Sequence, residues 1–556
     1  MSTTLTALWI LIALLIVTGG FYGKIELSQV DLFGWTLLIL TFLHFKKSGK
    51  ALSPFLEKKT ANLATKLKRL DPLRVLAVLI AANTLLYTWA QVWRYQSFHS
   101  NAFDLSFADQ AIWSTAHLKE SALAFGSSIS RNGTLLSEHF SPIFALIAPL
   151  YRLWDSVYWL LFLLPVFVSS GALFVYLIGR QEKIQPLPSL LLSTLYLMHP
   201  SVRSAMLFDF KEDAFFIPLL FGVVYAFRAN RWRLFWCLAA FTLLVKENAP
   251  FALFGVGIWL VAQKNKRHGL ALCLVSLAAF AMINLWVMPS FFQGESQSVL
   301  AGRLSPLGGT TSEVFKNLVS NPIDSLIKIL KAKIDQGSFK YVYKILFPVI
   351  FFVSFRSLKT AAPFLVTLFL VALNLLFTPQ RIGYHYELIL TPFLMATLAI
   401  GFRLRSNQWG TVPAAVLALI SLFCVYGRSP LVSIRQYAPT DGHHCLQQAV
   451  NLIPQEASVL TQSSIHPHLA HRKTANLFQT ADQAFEDFIA VSTWERLSLY
   501  ASEAMPEQLK RIDPLKYQRV VSSRMVSIWC RVDACGRYEK ASRDLKTLHC
   551  LKEGHQ

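Results

Sequence analysis

The chain has 556 residues, of which 54% are hydrophobic and only 15% charged, with 42 Phe and 14 Trp. Ordinary globular domains carry about 25% charged residues, so this is the composition of a membrane protein. It excludes soluble, disordered, collagen-like and small disulfide-scaffold classes. The formal net charge of +21 sits largely in short basic clusters between apolar runs; such clusters report loop topology, and with no RNP, zinc-finger or basic-zipper pattern no nucleic-acid partner is expected.

Apolar runs of about 20 residues, enough to cross the hydrocarbon layer, recur to residue 426. They lie near 5–22, 29–45, 75–92, 157–178, 188–205, 214–228, 233–246, 249–263, 269–288, 341–356, 360–378, 386–402 and 409–426. The expected fold class is an all-α polytopic membrane protein of about 13 spans with a small C-terminal α/β exported domain. Its parts are 1–74, two N-terminal spans and a basic cytoplasmic loop; 75–426, the main transmembrane domain with external loops; and 427–556, the exported domain. Basic clusters at Lys46–Arg74, Arg180/Lys183, Arg228–Arg233, Lys264–Arg267, Arg356/Lys359 and Arg403/Arg405 fall on one side, which the positive-inside rule makes cytoplasmic. Location in the inner (cytoplasmic) membrane follows, with the tail outside. Four of the seven cysteines (Cys445, Cys530, Cys535, Cys550) lie in that tail and can form two disulfides in three pairings.

The loops assigned to the outside carry the candidate chemistry. The first contains Asp104, Asp109 and Trp113 among aromatics. Its pattern predicts helices on the membrane surface, and the two acids, about 140° apart on a helix, converge only if a turn intervenes. Carboxylates against an apolar wall can serve as general bases; the competing role is helix capping. Glu138-His139 follows, a pair able to bind a metal or move a proton, or to end a loop by hydrogen bonding. The connection at 208–214 holds Asp209, Lys211, Glu212 and Asp213, and Lys246-Glu247 interrupts an apolar stretch where charges are costly. A last turn, 379–387, offers Arg381, Tyr384 and His385 for a phosphate, or as interfacial anchors. His466, His468 and His471 sit close together in the tail, without the acid or Cys that would complete a metal set.

The segments Phe103-Asp104-Leu105 with Asp109-Gln110, Glu138-His139-Phe140-Ser141-Pro142, Phe208-Asp209-Phe210 with Asp213, Lys246-Glu247, Tyr384-His385-Tyr386 and the tail run from Ile465 to Arg472 resemble the DUF2079 family of multi-span membrane proteins. The likeness covers about 75 to 500. It departs from the family pattern at Glu138, where Asp is usual, at Lys211-Glu212, in place of His-Pro, and at Asn248, in place of an acid. That family is in turn similar to the GT-C glycosyltransferases, an analogy of fold; the Asp-Glu pair common in those enzymes is absent, because Leu105 follows Asp104.

The resemblance implies transfer of a sugar from a polyprenyl-phosphate donor to an acceptor at the external face. Its partners would be the lipid bilayer and the lipid-linked sugar donor. Asp104, Asp109, Asp209 and Asp213 would be the catalytic group, with a divalent cation as the cofactor to test. Glu138, His139, Trp113, Lys246, Glu247, Arg381, Tyr384 and His385 would bind substrate. The alternative is a non-catalytic transporter or a lipid-handling or envelope-assembly protein; a transporter predicts acids deep within the spans.

Overall fold

The computed structural model describes residues 71–118, 125–130, 132–291, 305–309, 311–333, 336–377, 385–423, 434–478, 486–492, 494, 509–510, 512–523, 525–548 and 550. The expected spans at 5–22 and 29–45 lie outside them.

The described chain is mostly helical. Helix α1, Pro72–Gln96, starts where Pro72 fixes the backbone and Asp71 Oδ1 accepts from Leu73 N at 3.0 Å. A π-helical turn, Ala102–Ser106, then leads into α2, Phe107–His117. There follow α3 (Ala148–Leu153), α4 (Tyr158–Gln181), α5 (Pro186–Met198), α6 (Pro200–Met206), α7 (Phe216–Arg228), α8 (Trp232–Leu243) and α9 (Ala249–Ala262). Next come α10 (Lys266–Met282), α11 (Thr311–Ser320), α12 (Pro322–Lys333), α13 (Gln336–Ile350), α14 (Leu358–Phe377), α15 (Thr391–Trp409) and α16 (Thr411–Phe423).

Among the described residues, four helices are long and apolar enough to cross a membrane: Pro72–Gln96, Tyr158–Gln181, Lys266–Phe291 and Leu358–Leu376. Six further apolar helical stretches have 10–17 residues. The runs expected at 188–205 and 386–402 are interrupted. The first breaks between α5 and α6 at His199-Pro200, because the residue before a proline is driven out of helical geometry; His199 has ψ 135°. The second begins as a turn, and α15 starts only at Thr391.

Contacts fix which helix ends share a level. Glu182, just beyond α4, pairs with Arg228 at the end of α7 and with Arg403 of α15 at 3.1 Å. Gln263 Nε2 donates to Lys359 O, and Arg405 Nε to Phe351 O. The basic loops therefore gather at one end, the basic end. At the other, Gln91 Nε2 of α1 donates to Met206 O and Phe208 O, both at 2.6 Å.

The C-terminal unit sits at that second end. Helix α17, Asp441–Asn451, precedes a five-stranded sheet of β1 (Val459–Thr461), β2 (Ala475–Leu477), β3 (Phe488–Val491), β4 (Tyr517–Ser522) and β5 (Ser527–Arg531) in the order β2-β1-β3-β5-β4. Strand β1 runs parallel to β2 and β3, and β5 is antiparallel to β3 and β4. Helices α18 (Val532–Arg537) and α19 (Glu539–Thr547) follow. The four cysteines pair as Cys445–Cys550 and Cys530–Cys535.

One residue of the α1 end belongs to this unit's core. Phe98 has φ 57° and is fully buried with Leu446, Ala449 and Val450, its ring stacked 3.9 Å from His468. A left-handed backbone is unfavourable for a bulky residue and persists only where surrounding packing fixes it.

Candidate functional site: a buried charge cluster at the polar end

Four connections meet at the end of the helices nearest the C-terminal unit: 97–106, 207–215, 244–248 and 385–390. Each leaves an apolar helix and carries charge into a place where charge must be paired.

The 207–215 connection is the hub. Asp209 is fully buried; it accepts from Arg94 Nε at 3.0 Å and from Asn101 N at 2.9 Å. Arg94 also donates to Tyr437 Oη at 3.3 Å, so one guanidinium joins α1, this connection and the segment leading to α17. Lys211 Nζ lies 3.3 Å from Asp104 Oδ1 and donates to Phe103 O at 2.7 Å. Lys246 Nζ lies 2.6 Å from both Glu212 Oε1 and Asp213 Oδ2, and His385 Nε2 is 3.4 Å from Asp213 Oδ2. Glu247 receives His139 Nδ1 at 3.3 Å and Phe140 N at 3.1 Å. The Glu-His step and the Lys-Glu step, more than 100 residues apart, thus share one structure.

Charge sorts itself by neighbour. Burial raises Asp104 above the usual carboxylate range, and Lys211 opposes this without cancelling it. Burial also raises Asp213, to about 6, helped by the adjacent Glu212. Glu212 goes the other way: burial works against its charge, yet Lys246, His139 and Lys211 hold it low. Lys246 stays cationic, since its two carboxylates outweigh burial. His385 is pushed well below its ordinary value by burial and by Lys246 and Lys211, so its ring is neutral. Glu387 is fully buried in the same turn, and burial raises it to about 8 against an opposing backbone hydrogen bond.

Asp109 is elsewhere. It is fully buried, accepts from Tyr151 Oη at 2.6 Å and lies 3.0 Å from His471 Nε2. The other nitrogen of His471 lies 2.7 Å from Asp155 Oδ1, and Asp155 Oδ2 accepts from Trp113 Nε1 at 3.2 Å. Burial opposes the charge on His471, but Asp109 and Asp155 raise it to about 10. Trp113 is only 7% exposed, with its ring stacked 5.9 Å from that imidazole. Helix α2 is buried along nearly its whole length, so it meets protein where its pattern predicts an open amphipathic face. The C-terminal unit covers it: Gln110 Nε2 donates to Arg472 O, and Ser106 Oγ is 2.6 Å from His466 Nδ1.

Asp104, Asp209, Asp213, His139, Lys246, Glu247 and His385 are therefore drawn into one neighbourhood, while Asp109 and Trp113 form a junction with the C-terminal unit. Glu138 is half-buried beside His139. Arg381 and Tyr384 lie outside the described residues. The three tail histidines separate: His466 on Ser106, His468 stacked on Tyr95 and Phe98, His471 on Asp109. Among the described residues no group of three or more His, Cys, Asp or Glu has the arrangement to hold a metal ion. Arg94, Tyr151, Asp155 and Glu387 are the participants not singled out from sequence. Arg94, a lone cation closing an apolar run, was the readable signal.

A family model described as a predicted membrane protein, DUF2079, matches residues 94–507, more than half of the chain. The chain belongs to the DUF2079 family. Its matched segment opens at Arg94 and takes in the charge cluster, the α2 junction and the histidines that bind them together. No curated protein matches this DUF2079 chain.

Proposed function

We propose that this protein is a glycosyltransferase of GT-C type that moves a sugar from a polyprenyl-phosphate donor to a hydroxyl acceptor at the external membrane face. Asp104 carries the reading. Of Asp104, Asp209, Glu212, Asp213 and Glu247 it has the most exposed side chain, at 24%, while burial still raises its proton affinity. A general base needs both properties: access to the acceptor and an affinity above that of a free carboxylate.

In this reading the acceptor O–H gives its proton to Asp104 and its oxygen bonds to the anomeric carbon. The bond from that carbon to the phosphate oxygen breaks, and the lipid phosphate leaves with the electron pair. Lys211 orients Asp104. Asp209 and Asp213 hold the loops through Arg94 and Lys246. His385, with Arg381, is assigned to the departing phosphate. Glu138, His139, Glu247 and Tyr384 shape the acceptor side; Asp109 and Trp113 fix the junction.

Added to the four membrane-length helices, α5, α7, α8, α9, α13, α15 and α16 complete the bilayer domain, giving about thirteen spans with the two runs of the N-terminal segment. The basic end faces the cytoplasm and the polar end, with 427–556, lies outside the inner membrane. The acids of the cluster sit at helix ends, which favours the enzyme over a transporter with carboxylates midway through its spans.

The test is Asp104→Asn in membranes supplied with a labelled polyprenyl-phosphate sugar. Transfer should fall about 10²–10⁴-fold, and because the amide keeps an oxygen for Lys211 the protein should still fold, read by a cooperative thermal transition. Undiminished transfer removes Asp104 as base.

A further inference from the structure

Helices α11 and α12 form a hairpin about the Asn321-Pro322 turn. Its inner face is apolar: Val314 and Ile329 are buried with Leu307 against Leu376, at the last turn of the membrane-length helix α14. Two residues earlier on α14, Asn374 Nδ2 donates to Tyr386 O in the turn that carries His385. The hairpin therefore rests at the polar end, level with the mouth of a span. Its outer face is also apolar near the turn: Val319, Ile323 and Ile327 are 67%, 74% and 43% exposed. Ile323 and Ile327 are one helical turn apart and share a face.

Around this stripe the charge is one-sided. Residues 311–333 contain Lys316, Lys328, Lys331 and Lys333 against Glu313 and Asp324. Both acids are engaged: Glu313 accepts from Gly309 N at 2.9 Å, and Asp324 pairs with Lys328 at 2.9 Å. Lys316, Lys328 and Lys331 are exposed. An apolar stripe edged by lysines, held at the mouth of a span, has the composition of an interfacial helix on anionic lipid. Water would leave the stripe uncovered, and an acidic protein would satisfy the lysines without calling for three aliphatic side chains at this level.

We propose that the 311–333 hairpin is a docking surface for anionic phospholipid headgroups, with Val319, Ile323 and Ile327 inserted at the acyl boundary and Lys316 and Lys331 on the phosphates. The surface is separate from the charge cluster and does not depend on the proposed transfer.

The full chain, with Cys237, Cys273 and Cys424 changed to Ser, takes Ile323→Cys labelled with a polarity-sensitive dye. It is placed in nanodiscs of phosphatidylcholine alone, or of an equal mixture with phosphatidylglycerol. The mixture should give blue-shifted emission quenched by lipids spin-labelled near the headgroup. Lys316→Glu with Lys331→Glu should lower that quenching by about fivefold or more; both side chains are exposed, so the fold is kept. Water-like emission in both discs overturns the proposal. Equal quenching in both discs, unmoved by the charge reversals, overturns the anionic headgroup as the ligand.

Discussion

Lys246 occupies a position where charge is tolerated only because two carboxylates meet it at 2.6 Å. Removing the ammonium would leave Glu212 and Asp213 facing each other in a buried site. Lys246→Ala should therefore destabilise the protein by about 3–5 kcal/mol, read as a lower unfolding temperature in detergent. The exposed Lys328, paired with Asp324 one turn away, should cost under about 1 kcal/mol on the same change. Asp104 titrates rather than breaks. Its raised proton affinity in the folded protein means that activity should fall on acidification at a pH above that of a free carboxylate, with the acid limb of the pH–rate profile absent in Asp104→Asn. Apart from Arg94 and Glu387, the charged residues of this cluster were legible one by one, since ions in apolar stretches are conspicuous. Their pairing was not: Lys246 and Asp213, or His139 and Glu247, are joined only when helices return to the same level, and no local pattern encodes that.

Helices α9 and α10 show what an apolar pattern leaves unsaid. A Cβ on Gly269 would stand 2.7 Å from Gly257 O and 2.9 Å from Val261 N, so the two backbones touch where side chains normally keep them apart. Small residues allow such contact between helices in lipid. Gly269→Val should separate the pair and lower the unfolding temperature, whereas Ala271→Val, two residues on, about 200° round the helix and half-buried, should do little. The runs predicted both helices without indicating how close they come. The same limit explains α2. Its aromatics read as an interfacial face, but what they meet is the C-terminal unit, more than 300 residues on. That junction depends on pH. The stabilisation from His471 is complete below its ordinary value of about 6.5, declines above it and is lost as pH passes about 10. Asp155, held below its ordinary range against the pull of burial by the His471 hydrogen bond, loses its contribution only in acid. Limited proteolysis across pH should find the junction loosening on the alkaline side, and His471→Ala should make it protease-sensitive at neutral pH.

For the molecule as a whole, loop charge sorted the described helix ends: those carrying Arg228, Lys359, Arg403 and Arg405 share one level, and the cysteine-bearing unit sits at the other, where Cys445–Cys550 and Cys530–Cys535 are joined; most of the cluster from Lys46 to Arg74 lies outside the described residues. On the proposed placement of that unit outside, a thiol reagent added to the chain with Cys237, Cys273 and Cys424 changed to Ser should label none of the four until reductant is added. The strand order could not be read from the short β-type runs, because chain order does not give spatial order: β1 lies between β2 and β3, and β5 comes between β3 and β4. Phe98 has a practical consequence. The sheet unit borrows this ring from the chain just beyond α1, so its hydrophobic centre is finished only when that helix end is present. Expressed alone, residues 427–556 would present an open socket and should clump or melt early; a workable soluble fragment would need the missing phenylalanine returned to it on a grafted stretch of the 97–118 chain.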